Sequence, residues 1–119
     1  MLKTKSVQKR KAKADGIRIC IMRRVKPHFE YDMWMPTLAP STELLKDYHE
    51  QKIDWKEYEK LFAKEVFKKN KEFIEIVGEM AQKHDITLLC WEETAEMCHR
   101  RLVAEEVARI FPEIKLKLA

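Results

Sequence analysis

The chain has 119 residues, of which 45% are hydrophobic and 37% charged, which is the size of one domain. A chain this long hides roughly two-thirds of its unfolded surface, enough for one core without disulfides. Its composition excludes disordered, collagenous and membrane classes. Charge is unevenly spread. Residues 1–26 hold ten Lys/Arg against one acid, Asp15, a local +9, whereas the remainder carries 14 basic and 19 acidic side chains, a local −5. This asymmetry points to an anionic partner at the N-terminal face. Three cysteines, an odd number in apolar or helical contexts, fit a reducing, cytoplasmic setting. The basic start is not followed by an apolar core, so no secretory leader is expected. With two glycines, Gly-rich phosphate loops are excluded, and no cofactor is specified.

Lys3 to Gln8 alternates weakly, as a short first strand would. Residues 9–16 are polar and basic and close on the turn dipeptide Asp15-Gly16; together, residues 1–16 read as a basic strand and arm. Ile17 to Met22 reads as a buried strand. Residues 24–40, with Pro27, Pro36 and Pro40, read as a long loop of the functional kind. Ser41 or Thr42 caps a short helix carrying Leu44, Leu45 and Tyr48. Asp54 caps a second, with Trp55, Tyr58, Phe62 and Val66 as its apolar stripe. Asn70 is placed to cap a third, with Phe73, Val77, Met80 and Ala81 on one face. Gly78 weakens that helix unless something packs against it closely. Ile86 to Cys90 reads as a central parallel strand covered on both faces. A fourth helix is expected from about Thr94 to Phe111, stopped by Pro112. Ile114, Leu116 and Leu118 alternate with lysines, as on an edge strand. The order β–β–α–α–α–β–α–β predicts a single α/β layered domain over residues 1–119. Its sheet is mainly parallel, has about four strands and is flanked by helices.

Chemistry concentrates between Cys90 and Arg101. Ligands of open α/β sheets bind outside the carboxyl ends of the strands, and a helix start favours anions and thiolates. Cys98 shares a helical face with Leu102, so it points inward toward Cys90. Four readings compete. Cys98 is a nucleophile whose pKa Arg100 lowers. Alternatively, Cys90, Cys98 and His99 bind a metal, although their C-x7-C-H spacing matches no common zinc site and a fourth ligand is missing unless His28 supplies it. Cys90 and Cys98 form a redox pair without the C-x-x-C signature. Or both are ordinary buried cysteines. A Cys-x5-Arg phosphatase loop is excluded, because Glu96 stands six residues after Cys90 and nothing basic stands six after Cys98. Trp34 and Trp91 each read either as part of a wall over a flat ligand or as a plug at the end of the core. The basic arm reads as a solvated face or a nucleic-acid contact, without an interleaved aromatic to stack bases.

Leu88-Leu89-Cys90-Trp91-Glu92 followed by Cys98-His99-Arg100-Arg101-Leu102 resembles the carboxyl-terminal motif of domain-of-unknown-function family 488. Asp32-Met33-Trp34-Met35-Pro36-Thr37-Leu38-Ala39-Pro40-Ser41 is similar to that family's tract ending in Leu-Ala-Pro-Ser, and Trp55, Tyr58, Phe62 and Glu65 resemble the helix that follows. The resemblance covers most of residues 2–111 and implies a small cytosolic α/β domain without an established activity.

The expected function is therefore an enzyme or ligand-binding domain for a small anionic or nucleotide-like molecule, with no membrane role. Cys98, His99 and Cys90 are its candidate catalytic residues. Arg23 and Arg100 would hold the anion, Trp34 or Trp91 would stack a ring, and Asp32 and Glu92 would complete the site; no metal ligand is assigned. A nucleic-acid or partner-binding module using residues 1–26 is the alternative.

Overall fold

The computed structural model describes residues 1–119. Five strands, β1 (Leu2–Ser6), β2 (Ile17–Cys20), β3 (Met33–Trp34), β4 (Ile86–Cys90) and β5 (Leu116–Lys117), form one sheet in the order β3-β2-β4-β1-β5. Every pairing is parallel. The fifth strand is β3, two residues long, which the proline-punctuated tract hides from any pattern reading. β4 is central and wholly buried, and β2 is its direct neighbour, with Ile17 opposite Ile86 and Cys20 opposite Leu89. β5 lies on the edge, as its alternation indicated.

The helices are α1 (Thr42–His49), α2 (Trp55–Phe62), α3 (Lys71–Lys83) and α4 (His99–Ile110), with Ala63–Phe67 continuing α2 as a widened π turn. Ser41 caps α1 by accepting from the Leu44 amide at 3.1 Å, and Asp54 caps α2 by accepting from the Glu57 amide at 2.8 Å. Each satisfies an amide the helix leaves open. Asn70 stands at the start of α3 but does not cap it; its side-chain amide donates to the Thr37 carbonyl at 3.0 Å. The buried face of α3 is Ile74, Val77, Gly78 and Ala81, with Phe73 and Met80 only half-buried beside it.

α4 begins at His99, not near Thr94. Cys98 is extended (φ −133°, ψ 142°) and stands at the cap. Two guanidinium groups explain the late start. Arg100 Nη1 takes the Glu92 carbonyl at 2.7 Å, and Arg101 Nε takes the Glu96 carbonyl at 2.8 Å. The Glu96 carbonyl, which a helix from Thr94 would use internally, is spent on a side chain instead.

The two faces of the sheet differ. Leu2, Ile19, Ile86 and Leu88 join side chains from all four helices in one apolar core. Register places Lys3, Arg18 and Thr87 in one row on the opposite face, with Lys5, Cys20 and Leu89 in the next. That face is covered by residues 9–16. Asp15 accepts from Arg18 Nη1 at 2.6 Å and from Lys5 Nζ at 3.0 Å, while Thr87 Oγ1 donates to the Asp15 carbonyl at 2.7 Å. Lys3 Nζ donates to the Ala14 carbonyl. The central strand is thus covered on both faces, by helices on one side and by a polar arm on the other. Gly16 sits at φ 66°, and a Cβ there would collide with the Asp85 carbonyl, which accepts the Ile17 amide at 2.9 Å; only glycine fits.

Two stability predictions follow from this packing. Burial pushes the Asp15 carboxyl up, but the Ala12 amide, Lys5 and Arg18 together outweigh it and hold the group below its ordinary value. Its stabilising contribution is therefore complete above the ordinary carboxylate range and is lost as pH falls through the lower folded value. Asp15→Asn leaves the fully buried Arg18 without its counter-charge and should cost about 3–5 kcal/mol at neutral pH. In urea titrations at several pH values, the variant's stability should also fall less steeply with acid than the wild type's. At Gly78 a Cβ would collide with the Phe111 ring. Gly78→Ala should destabilise by about 1–3 kcal/mol despite the helix-propensity gain of about 1 kcal/mol, and Phe111→Ala should remove that penalty in a double-mutant cycle.

Candidate functional site

The carboxyl end of β4 delivers Cys90, and the cap of α4 brings Cys98 and His99 back over it. Cys90 Sγ lies 3.4 Å from His99 Nδ1, and His99 Nε2 lies 2.6 Å from the Ile21 carbonyl oxygen. A carbonyl oxygen only accepts, so Nε2 carries a proton. In the neutral ring Nδ1 is then the lone pair, and it is directed at the Cys90 thiol. The Ile21 carbonyl is available because the β2–β4 ladder has just ended: Ile21 donates its amide to the Leu89 carbonyl at 3.0 Å, one residue past the end of β2. The Phe62 ring, 5.8 Å away centre to centre, packs against the imidazole.

The sulfurs of Cys90 and Cys98 and a ring nitrogen of His99 all lie within 4.8 Å of one another. The neighbouring thiol has the largest effect on each: Cys98 draws Cys90 below the ordinary thiol range, and Cys90, together with burial, holds Cys98 well above it. For Cys90, burial opposes ionisation, while the Glu92 and Trp91 amides and the Arg100 charge favour it. Cys98 is thus shifted opposite to the lowering expected for it. Burial raises Cys20, mid-sheet and fully enclosed.

Arg100 is itself fully buried. It donates to the Glu92 carbonyl at 2.7 Å, to the Ala119 main-chain oxygen at 2.9 Å and to Cys98 Sγ at 3.5 Å, with no Asp or Glu side chain among its partners. A desolvated guanidinium beside two thiols favours one thiolate. The same three donors could hold a soft metal ion, but no fourth protein donor joins them; His28 is exposed and packs on Phe29.

A cavity of about 480 Å³ opens onto Cys90, Cys98 and His99. Tyr48, Trp55 and Tyr58 form one wall, with Trp55 and Tyr58 stacked at 4.8 Å. Met97 meets the Tyr48 hydroxyl at 3.5 Å. Arg23, Arg24, Trp91 and Glu92 also line it. Trp55 Nε1 is the one buried side-chain nitrogen or oxygen without a hydrogen-bond partner.

Of the residues expected at the site, Cys90, Cys98, His99, Arg23, Trp91 and Glu92 line this cavity. Arg100 stands behind Cys98 and does not reach it directly. Asp32 and Trp34 lie elsewhere. Asp32 accepts the Arg18 amide at 2.8 Å beside β2. Trp34, on the edge strand and 48% exposed, donates Nε1 to the Met22 carbonyl at 2.7 Å. The aromatic wall and Arg24 were absent from the expected set. Trp55 and Tyr58 were legible only as a core-facing helical stripe, which is also what a cavity wall looks like in sequence.

The family DUF488-N3a, described as the active DUF488-N3 subclade, matches residues 2–110. No curated protein and no solved structure matches.

Iodoacetamide labelling followed by peptide mass spectrometry checks the thiol assignment. Cys90 should label first, with a rate that titrates below the ordinary thiol range, while Cys20 and Cys98 lag. Cys98→Ala removes the neighbour that lowers Cys90 most and should move that titration upward. A midpoint unmoved by this substitution would contradict the coupling of the two thiols.

Proposed function

Because the chain belongs to the DUF488 family, we propose that its crevice is the active site of an enzyme that uses Cys90 as a nucleophile on a small anionic or nucleotide-like molecule. The observation that carries this reading is the Cys90–His99 pair, 3.4 Å apart, with the imidazole oriented by the Ile21 carbonyl at 2.6 Å. A nucleophile, a base and a third group that orients the base is the general arrangement for activating a weak nucleophile. The position supports it too: the pair stands at the carboxyl end of the central strand of a parallel sheet. The description of the matched subclade as active agrees with a catalytic role.

In this reading the Cys90 thiol passes its proton to His99 Nδ1, and the sulfur attacks an electrophilic carbon of the substrate. The carbon–sulfur bond forms as the bond to the leaving group breaks, and the leaving group takes the proton back from His99. Cys98 and the Trp91 and Glu92 amides hold the sulfur's charge before attack. Arg23 and Arg24, at the cavity wall, supply charge for an anionic group. Arg23 is already oriented by its bonds to the Pro40 and Ala39 carbonyls at 2.8 and 3.3 Å. Trp91, 47% exposed, offers a flat face to a ring. Trp55 Nε1 offers a donor that nothing in the protein uses.

Protection of Cys90 from iodoacetamide by a panel of mononucleotides and sugar phosphates tests this reading. A member that binds should slow labelling, and replacing Arg24 by Gln should weaken its protection by about 10-fold or more, the worth of a charged hydrogen bond of 1.5–3 kcal/mol. Cys90→Ser should abolish labelling at that position without unfolding the domain. A panel in which no anion protects Cys90, or in which Arg23→Gln and Arg24→Gln leave protection intact, would sink the anionic-substrate assignment. Failure of Cys90 to label at all would sink the nucleophile.

A further inference from the structure

The nucleophile needs a base and an orienting group, and His99 with the Ile21 carbonyl supplies both. Cys98 is more than that chemistry requires: a serine or a backbone amide would hydrogen-bond to the Cys90 sulfur equally well. Yet a second thiol sits against the first. The two sulfurs lie within the same 4.8 Å cluster as the imidazole, and both cysteines line the cavity while remaining 5% and 2% exposed. Cys98 stands on extended backbone at the last position before α4, at the end of residues 91–98, which hold only turns and bends. Its sulfur is 3.5 Å from the buried Arg100 Nη1.

We propose that Cys90 and Cys98 form a two-thiol site that reduces a small hydroperoxide, with Cys90 the attacking sulfur and Cys98 the resolving one. The inference rests on the nucleophile reading of Cys90. In the first step the Cys90 thiolate attacks the terminal peroxide oxygen. The sulfur–oxygen bond forms, the oxygen–oxygen bond breaks, and the departing alkoxide or hydroxide takes the proton stored on His99 Nδ1. Cys90 is now a sulfenic acid, oxidised by two electrons, and the peroxide has been reduced to an alcohol or water. In the second step the Cys98 sulfur attacks the Cys90 sulfur. The disulfide bond forms, the sulfur–oxygen bond breaks, and water leaves with the proton that Cys98 carried. Arg100 supports charge on the Cys98 sulfur during this attack. An external dithiol restores both thiols by exchange. The near-complete burial of both sulfurs favours hydrogen peroxide and short alkyl hydroperoxides over bulky ones. While the disulfide persists, Cys90 cannot act on any other substrate.

The experiment treats the reduced full-length protein with one equivalent of hydrogen peroxide and reads intact mass, disulfide-linked peptides and dimedone adducts. Iodoacetamide labelling of untreated protein runs in parallel. The wild type should lose two hydrogens in mass, yield a Cys90–Cys98 linked peptide close to one per chain, lose iodoacetamide reactivity, and recover both on adding dithiothreitol. Cys98→Ser, checked for folding by circular dichroism, should form no linked peptide and should trap the dimedone adduct at Cys90. A wild type whose Cys90 labels with iodoacetamide but passes under peroxide to sulfinic acid, at the same rate as Cys98→Ser, overturns the resolving role and leaves the nucleophile standing. A linked peptide joining Cys20 to either residue overturns it as well. If Cys90 reacts with neither reagent, both readings fall together.

Discussion

The constraint on which this structure turns is the burial of two guanidinium groups, those of Arg18 and Arg100, in a domain with only one small core. A desolvated guanidinium must have its donors met, or the charge destabilises the fold by several kcal/mol. The chain answers differently at the two positions. Around Arg18 it brings Asp15, the Glu30 carbonyl at 2.7 Å and the Lys9 carbonyl at 3.2 Å, which closes residues 9–16 over the open face of the sheet. Around Arg100 it brings backbone oxygens from Glu92 and Ala119 and the Cys98 sulfur. That second set ties the loop after β4 to α4 and holds Cys98 over the end of β4.

The first arrangement also decides what the basic N-terminal segment is. Its lysines do not simply form a solvated strip. Lys5 is bound to Asp15 and the Arg10 carbonyl, and Lys3 to the Ala14 carbonyl. They are the means by which a strand with charged residues at alternate positions lies inside a sheet, between β4 and β5. A charge count over residues 1–26 treats these groups as equivalent to Arg23 and Arg24, which line the cavity. Only the latter pair is placed to meet a ligand there, so the asymmetry in charge is partly a folding device.

What sequence discloses here divides along physical lines. Local hydrogen bonding and apolar runs are readable: Ser41 and Asp54 sit where their side chains reach the next turn's amides, and β4, apolar but for Thr87, lies at the sheet's centre. Cys90 and Cys98 meet because a strand end and a helix start meet in parallel α/β topology. Long-range polar partnerships are not readable. Nothing around Asn70 shows that its amide serves Thr37, 33 residues earlier, and nothing around Asp32 shows that it binds the Arg18 amide. The late start of α4 depends on side chains of the helix itself reaching backward for carbonyls, a competition that helix propensity does not describe. A helical Cys98 beside Arg100 reads as the thiolate; at the cap, buried beside Cys90, it is the thiol held above its ordinary range.

The chemistry follows from that change of one position. Within a helix, Cys98 would face its own turn and meet Arg100 at the wrong angle, since consecutive residues diverge by about 100°. At the cap its backbone is extended, so the sulfur can face Cys90 while Arg100, two residues on, reaches around to the same atom from behind. His99, between them, turns to the opposite contact and binds Cys90 and Ile21. Three adjacent residues thereby converge on one pair of sulfurs, His99 on that of Cys90 and Arg100 on that of Cys98. The main-chain oxygens that fix this geometry come from Ile21 just after β2, the loop after β4 and Ala119, so the site is assembled by the fold as a whole. The Cys-His-Arg run is consequently a chemical arrangement only where the chain interrupts its helix to begin it.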